Sequence, residues 1–209
     1  MSKFAYNVSL RRLKNNNGVY NGLPRIYNVD RDSYSYGYAE VNVAAASPFV
    51  RTKVHDCRLE GNSDVQNGDL IQDRVDSSYY LVMDVKGIFG GGSNGTYAYK
   101  DATLYKVSAV ATIRRIGDAT PDFFGRSTTG FTILASNVKL MVNPQSFGVS
   151  EYVEGLNPDN KIKVVLQSKV GVKINDRIET DNGDVLQIEN IDKSSLVGLW
   201  VCYCDFDKR

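Results

Sequence analysis

Two stretches of this sequence pass through the same events in the same order. The first runs Gly68-Asp69-Leu70-Ile71, a polar turn, Tyr80-x-Val82-x-x-Val85, a loop, then Leu104-Tyr105-Lys106-Val107. The second runs Asn175-Asp176-Arg177-Ile178, a polar turn, Leu186-x-Ile188-x-x-Ile191, a loop, then Leu199-Trp200-Val201. Each reads as a short strand, a turn, a long strand, a loop and another long strand. The first copy carries an extra turn residue and a longer, Gly-rich loop. Two such units point to tandem small β-barrels or to one sandwich built by duplication.

Composition leads the same way. There are 13 Tyr and 18 Gly against 3 Met and 1 Trp. Tyr, Val, Ile and Thr suit a half-buried pleated surface, and Gly and Asn mark its turns. The runs 79–85 and 103–113, joined by the Gly-rich segment 88–95, predict a hairpin. Further strands are expected at 132–142, 161–167, 185–191 and 199–204, with a tight turn at Asp181-Asn182-Gly183-Asp184. The segment 117–130, which contains Pro121, is the expected connector between units. The fold class is therefore all-β, with two tandem small barrel or sandwich units at 51–130 and 131–209 and an extended N-terminal arm at 1–50. Within that arm, 4–14 has the make-up of a short helix, and Asn15-Asn16-Asn17-Gly18 ends it. The stretch 20–38 is too poor in apolar residues for a packed core. It reads either as a surface arm or long loop, or as an extended arm that orders against a neighbouring subunit, with Tyr20, Tyr27, Tyr34, Tyr36 and Tyr38 as contacts.

Chemistry is sparse. Net charge is +1, from 25 basic and 24 acidic residues, so there is no excess positive charge to attract nucleic acid or acidic membranes. No segment reaches the ~18 consecutive apolar residues of a membrane-spanning helix. The first residues lack a signal-peptide-like apolar run, and synthesis in a reducing cytoplasm is expected. Cys202 and Cys204 flank Tyr203 and so share one strand face; with Cys57 they read as buried reduced thiols. His55 and Cys57 offer two ligands where zinc needs three or four. Gly90-x-Gly92-x-x-Gly95 has the spacing of a dinucleotide fingerprint, but a strand follows it where the fingerprint needs a helix N-terminus. Glu151 and Glu154 sit in a loop-like segment between Pro144 and Pro158. No nucleophile elbow or metalloprotease motif is present. The expectation is a non-enzyme with no catalytic residues, no cofactor and no metal.

The run from Ile174 to Asp192, with its Asp176-Arg177-Ile178 strand start, Gly183 turn and alternating strand ending Ile191-Asp192, resembles the small β-barrel connector proteins of tailed bacteriophages. Gly198-Leu199-Trp200 fits the final loop and strand of that pattern, and 68–113 looks like a variant with a longer loop. Leu10-Arg11-Arg12-Leu13 is also similar to a neck subunit. The resemblance implies a stopper or head-completion-like virion protein in the head–tail connector, assembled in the host cytoplasm. Copies would form a cyclic ring between portal or adaptor proteins and tail proteins, with DNA passing through the lumen without specific binding. Phe89, Gly90, Gly91, Gly92 and Asn94 in the Gly-rich loop, and Tyr152 in the later loop, join the tyrosines as candidate contacts. The alternatives are a baseplate or tail accessory component, a carbohydrate-binding β module and an OB-like nucleic-acid binder.

Overall fold

The computed structural model describes residues 25–41, 53–89, 97–117, 120–121, 127–128, 130–144 and 162–207. Seven antiparallel strands form one sheet: β1 (Ile26–Asn28), β2 (Ser33–Ser35), β3 (Gly37–Val41), β4 (Val54–Glu60), β5 (Leu70–Asp73), β6 (Tyr79–Phe89) and β7 (Tyr97–Lys106). Their order is β2-β1-β5-β6-β7-β4-β3. After β8 (Ala109–Ile116), β9 (Thr120–Pro121) and β10 (Ser127–Thr128) pair with each other. Then come β11 (Phe131–Pro144), β12 (Ile162–Gln167), β13 (Arg177–Thr180), β14 (Val185–Asp192) and β15 (Leu199–Phe206). Six of these strands close a barrel in the order β11-β12-β15-β14-β13-β8. The fold is all-β in two units, but only the second is a closed barrel; the first is an open sheet.

Three expectations need correction. The single strand expected at 103–113 is two strands belonging to different units. Val107 N donates to Tyr79 O at 2.9 Å in the first sheet, whereas Ser108 N donates to Leu140 O at 3.0 Å in the barrel. Consecutive amides thus serve different sheets, and the chain changes unit there. The segment 117–130 does not connect the units; it joins β8 to β11, neighbours within the barrel. Residues 25–41 are not a detached arm but three strands of the first sheet. Ile26 is fully buried. Arg25 grips the buried Asp73 carboxylate through Nε at 2.8 Å and Nη2 at 2.6 Å. Asn28 Nδ2 donates to Asp69 Oδ2 at 2.8 Å, and the Ser35 and Ser63 hydroxyls lie 2.8 Å apart. The polar side chains that make this stretch look unpackable are the ones that fasten it.

The sequence repeat is a structural repeat through its turn and first long strand, but its last strand is offset from the sequence match: Leu104 takes the place of Cys204, and Tyr99 that of Leu199. Gly68 N donates to Val82 O and Val82 N to Asp69 O, at 2.8 and 2.9 Å. Asn175 N donates to Ile188 O and Ile188 N to Asp176 O, at 2.8 and 3.0 Å. The leading residue of each turn is left-handed, Gly68 at φ 86° and Asn175 at φ 71°; Gly and Asn are the residue types that tolerate this. Asp69 Oδ2 accepts Gln66 N and Arg31 Nε at 3.0 and 2.9 Å. Asp176 Oδ2 likewise accepts Lys173 N and Arg115 Nη2, at 2.7 and 2.8 Å. Each long strand then bulges at the same place, between Val82 and Asp84 and between Ile188 and Asn190.

The correspondence extends to the other strands. Asn28 opposes Ile71 as Ile113 opposes Ile178, and Cys57 opposes Ala102 as Val164 opposes Cys202. In the barrel β11 pairs with both β8 and β12 and closes the ring. In the first sheet that work is divided: β2 pairs with β1 and β3 with β4. Only Tyr36 separates β2 from β3. Its N–H donates to the Glu60 side chain and its carbonyl accepts the Glu60 amide, both at 2.9 Å, and β2 and β3 stand at the two edges of the sheet.

Each unit has its own core. That of the first includes Ile26, Leu59, Ile71, Tyr80, Val82 and Leu104; that of the barrel includes Leu166, Ile178, Leu186, Ile188, Cys202 and Cys204. A third cluster joins the units. It sets Leu70 and Leu81, with Tyr79, Met83 and Tyr105, against Met141, Val165, Leu199 and Val201. Each fully buried aliphatic side chain of this kind stabilises by about 1.5–3 kcal/mol. Beside the cluster the two backbones touch: a Cβ on Gly68 would lie 2.6 Å from Gly198 Cα. Gln167 Nε2 spans the joint, donating to Gly68 O at 2.8 Å and to Asp30 Oδ2 at 2.6 Å. Lys169 pairs with the same Asp30 carboxylate.

Candidate assembly surfaces

The expected contact residues fall into three groups. Tyr20, Gly90, Gly91, Gly92, Asn94 and Tyr152 lie outside the described residues, as do the Glu151 and Glu154 pair and the helix expected at 4–14. Tyr27 and Tyr34 come together as cross-strand partners on β1 and β2, with ring centroids 4.8 Å apart. Tyr34 is half exposed, and Arg74 lies over its ring at 5.2 Å. The Tyr27 hydroxyl donates to Asp32 at 2.8 Å, which raises the phenol's pKa. Tyr36 marks the break between β2 and β3, and Tyr38 stands opposite Arg58 in the β3–β4 ladder.

Phe89 is a strand residue at the end of a long hairpin. β6 and β7 pair out to Phe89 and Tyr97, and these two rings lie 4.8 Å apart. Phe89 is 67% exposed, with Ile88 and Tyr97 also exposed. The Tyr97 ring lies over Gly87, where a Cβ would fall 2.2 Å from it; an aromatic thus covers a strand glycine. The hairpin, Val65 and Val197 border a shallow cleft of about 380 Å³. The strands on either side of the Gly90–Gly95 motif pair directly, the geometry of a hairpin rather than of a nucleotide-binding turn.

Burial shapes several titratable groups. Cys57, Cys202 and Cys204 are free and buried, and burial raises all three thiols, Cys202 to about 12. His55 is buried; its ring lies edge-on to Tyr80 at 5.2 Å, and its Nδ1 has no hydrogen-bond partner. Burial lowers its pKa. At the joint, burial opposes ionisation of Asp30, but hydrogen bonds from Lys169, the Leu70 amide and Gln167 outweigh it and hold the pKa low. Among the described residues no three His, Cys, Asp or Glu side chains gather as a metal site, and no helix is long and apolar enough to cross a membrane.

Sequence reasoning missed the joint and Tyr97. Gly68 and Gly198 read as turn glycines, and no local pattern shows that they meet. Tyr97 follows the Gly-rich segment and reads as part of the loop. Comparison with protein-family models, curated proteins and solved structures finds no match to this chain.

Proposed function

We propose that this chain is a structural virion protein that forms a ring in the head–tail connector of a tailed bacteriophage, with the first sheet a copy of the barrel opened at Tyr36. The observation that carries the reading is how the two units meet. The outer side of β5, β6 and β7 receives the outer side of β11, β12 and β15, so the contact joins non-equivalent faces. Contacts of this head-to-tail kind, repeated from chain to chain, close rings when the rotation allows. The structural repeat identifies the surfaces that would repeat it. Leu81 and Met83 correspond to Gln187 and Glu189 on β14, and Leu199 and Val201 correspond to Tyr99 and Asp101 on β7. The joint within the chain is apolar and the equivalent faces between chains are polar, as suits a permanent contact and a later assembly step.

The resemblance to connector barrels supports the neck as the ring's location, with portal or adaptor proteins on one side, tail proteins on the other, and DNA passing through the lumen. The exposed Phe89–Tyr97 end of the β6–β7 hairpin is the candidate contact for an adjoining ring. Solution mass, by light scattering, tests the reading. A ring-sized species is expected, alone or on mixing with portal and tail proteins. A chain that stays monomeric in every mixture would overturn the proposal. Co-purification with baseplate rather than portal proteins would move the ring along the tail.

A further inference from the structure

A second surface owes nothing to ring closure. One row of cross-strand neighbours crosses the outer side of the first sheet: Tyr34 on β2 opposes Tyr27 on β1, Tyr27 opposes Gln72 on β5, and Gln72 opposes Tyr79 on β6. The next residue inward, Ile71, is fully buried, so alternation along β5 turns Gln72 outward. At the far end of the row, Lys139 of the barrel reaches over Tyr79 with Nζ 5.1 Å from the ring centre. The row therefore ends against the joint between the units, a common place for ligand sites. Strands lie ~4.8 Å apart, so three strand spacings make the row about 15 Å long.

We infer that this row is a binding platform for a neutral, linear oligosaccharide. A pyranose ring presents C–H groups on its faces and hydroxyls around its rim. The exposed Tyr34, backed by the Tyr27 ring at 4.8 Å, offers an aromatic surface for the first. The Tyr34 hydroxyl, the Gln72 carbonyl and the Arg74 guanidinium offer donors and acceptors for the second, while the Tyr27 hydroxyl donates to Asp32 and Gln72 Nε2 to Ser77 O. The charge around the row decides against a polyanion. Arg74 and Lys139 are offset by Asp32, which accepts the Tyr27 hydroxyl, and by Asp76 in the turn that holds Arg74. Single-stranded nucleic acid needs net positive charge along its track as well as stacking faces. A platform of one amide among tyrosines asks for a ligand with hydroxyls and no charge.

The test uses the full chain, with cellohexaose, maltohexaose and chitohexaose as probes in titration calorimetry. At least one should bind, with an affinity that does not change between low and high salt. Tyr34→Ala removes a half-exposed ring outside the core and should lower that affinity about tenfold, the size of one aromatic stacking contact. Phe89→Ala, on the distant hairpin end, should leave it unchanged. The proposal is overturned if no probe binds, if Tyr34→Ala binds as well as the parent, or if the row instead captures oligo-dT or a proline-rich peptide. A monomer that binds sugar would refute the ring and not the platform; a ring that binds none of the probes would do the reverse.

Discussion

The first sheet and the barrel follow one strand plan with two different interiors. Where the barrel places Ile113, Val138, Leu140 and Ile162, the first sheet places Asn28, Ser35, Gly37 and His55. What the units share is the turn at Asp69 or Asp176, the bulge after Val82 or Ile188, and the strand order. The difference teaches that topology here is set by backbone devices, while the core tolerates polar substitution where partners exist. Asn28 has Asp69 and Ser35 has Ser63. A buried polar group costs little when paired and about 1–3 kcal/mol when left unsatisfied. Gly37 belongs to the same contrast: a Cβ there would lie 2.5 Å from Arg58 O, so the backbones approach where Leu140 fills the barrel.

If the shared turn sets the topology, breaking it should have the largest effect, and in both units alike. Asp176 is almost fully buried, with Arg115 and the Lys173 amide as partners. Asp176→Ala leaves the Lys173 amide without its acceptor and Arg115 with Gly171 O alone, and should cost about 3 kcal/mol, the upper end for hydrogen bonds to a charged group. Asp69→Ala removes the acceptor of Asn28 Nδ2, Arg31 Nε and the Gln66 amide, though Arg31 keeps Gln66 Oε1, and should cost a similar amount. Urea titration followed by Trp200 fluorescence, which reports on the barrel, would measure the first; circular dichroism would follow the second. A loss below 1 kcal/mol in either would show that the turn is a consequence of the strand plan and not its cause.

The next effect tests whether the units act as one. Gly68→Ala puts a Cβ against Gly198 Cα and strains a φ of 86°. About 2 kcal/mol of destabilisation is expected from overpacking and strain together. Its signature is specific: calorimetry should change from one transition to two as the joint loosens. A single transition at lower temperature would instead mean that the joint yields without uncoupling the units.

Much of this was legible in the sequence. The repeat, the β6–β7 hairpin and the Asn182-Gly183 turn are local patterns, and alternation put Cys202 and Cys204 on one inward face. The fastening of 25–41 was not legible, because Arg25 meets Asp73 and Asn28 meets Asp69 across long stretches of chain. A polar, Tyr-rich segment looks the same whether its partners are solvent or buried carboxylates. The change of unit at 107–108 was hidden for a related reason: 103–113 is uninterrupted in β-favouring residues, and only the destinations of two neighbouring amides divide it. Of the row on the first sheet, Tyr27 and Tyr34 stand out in the sequence by residue type, whereas Gln72 and Tyr79 join it only through register.

The smallest effect sharpens the contrast between the interiors most directly. His55 stands where the barrel has Ile162, and its Nδ1 is unpaired. Burial first, and Lys106 second, lower its pKa, outweighing the Lys53 carbonyl and the charges of Asp76 and Asp56. The folded chain therefore holds His55 neutral where the unfolded chain, near the ordinary value of about 6.5, takes up a proton. With more protons bound in the unfolded state, stability falls as pH drops below that value and levels off only below the depressed folded pKa. His55→Ile copies the barrel's choice. It should stabilise the chain by about 1 kcal/mol at neutral pH, the lower bound for an unsatisfied buried group, and flatten the decline in stability between about pH 6.5 and 5. Urea midpoints for parent and variant across that range measure both effects. Parallel pH profiles would mean that the acid sensitivity lies in the carboxylates, with Asp30 at the joint the first to examine.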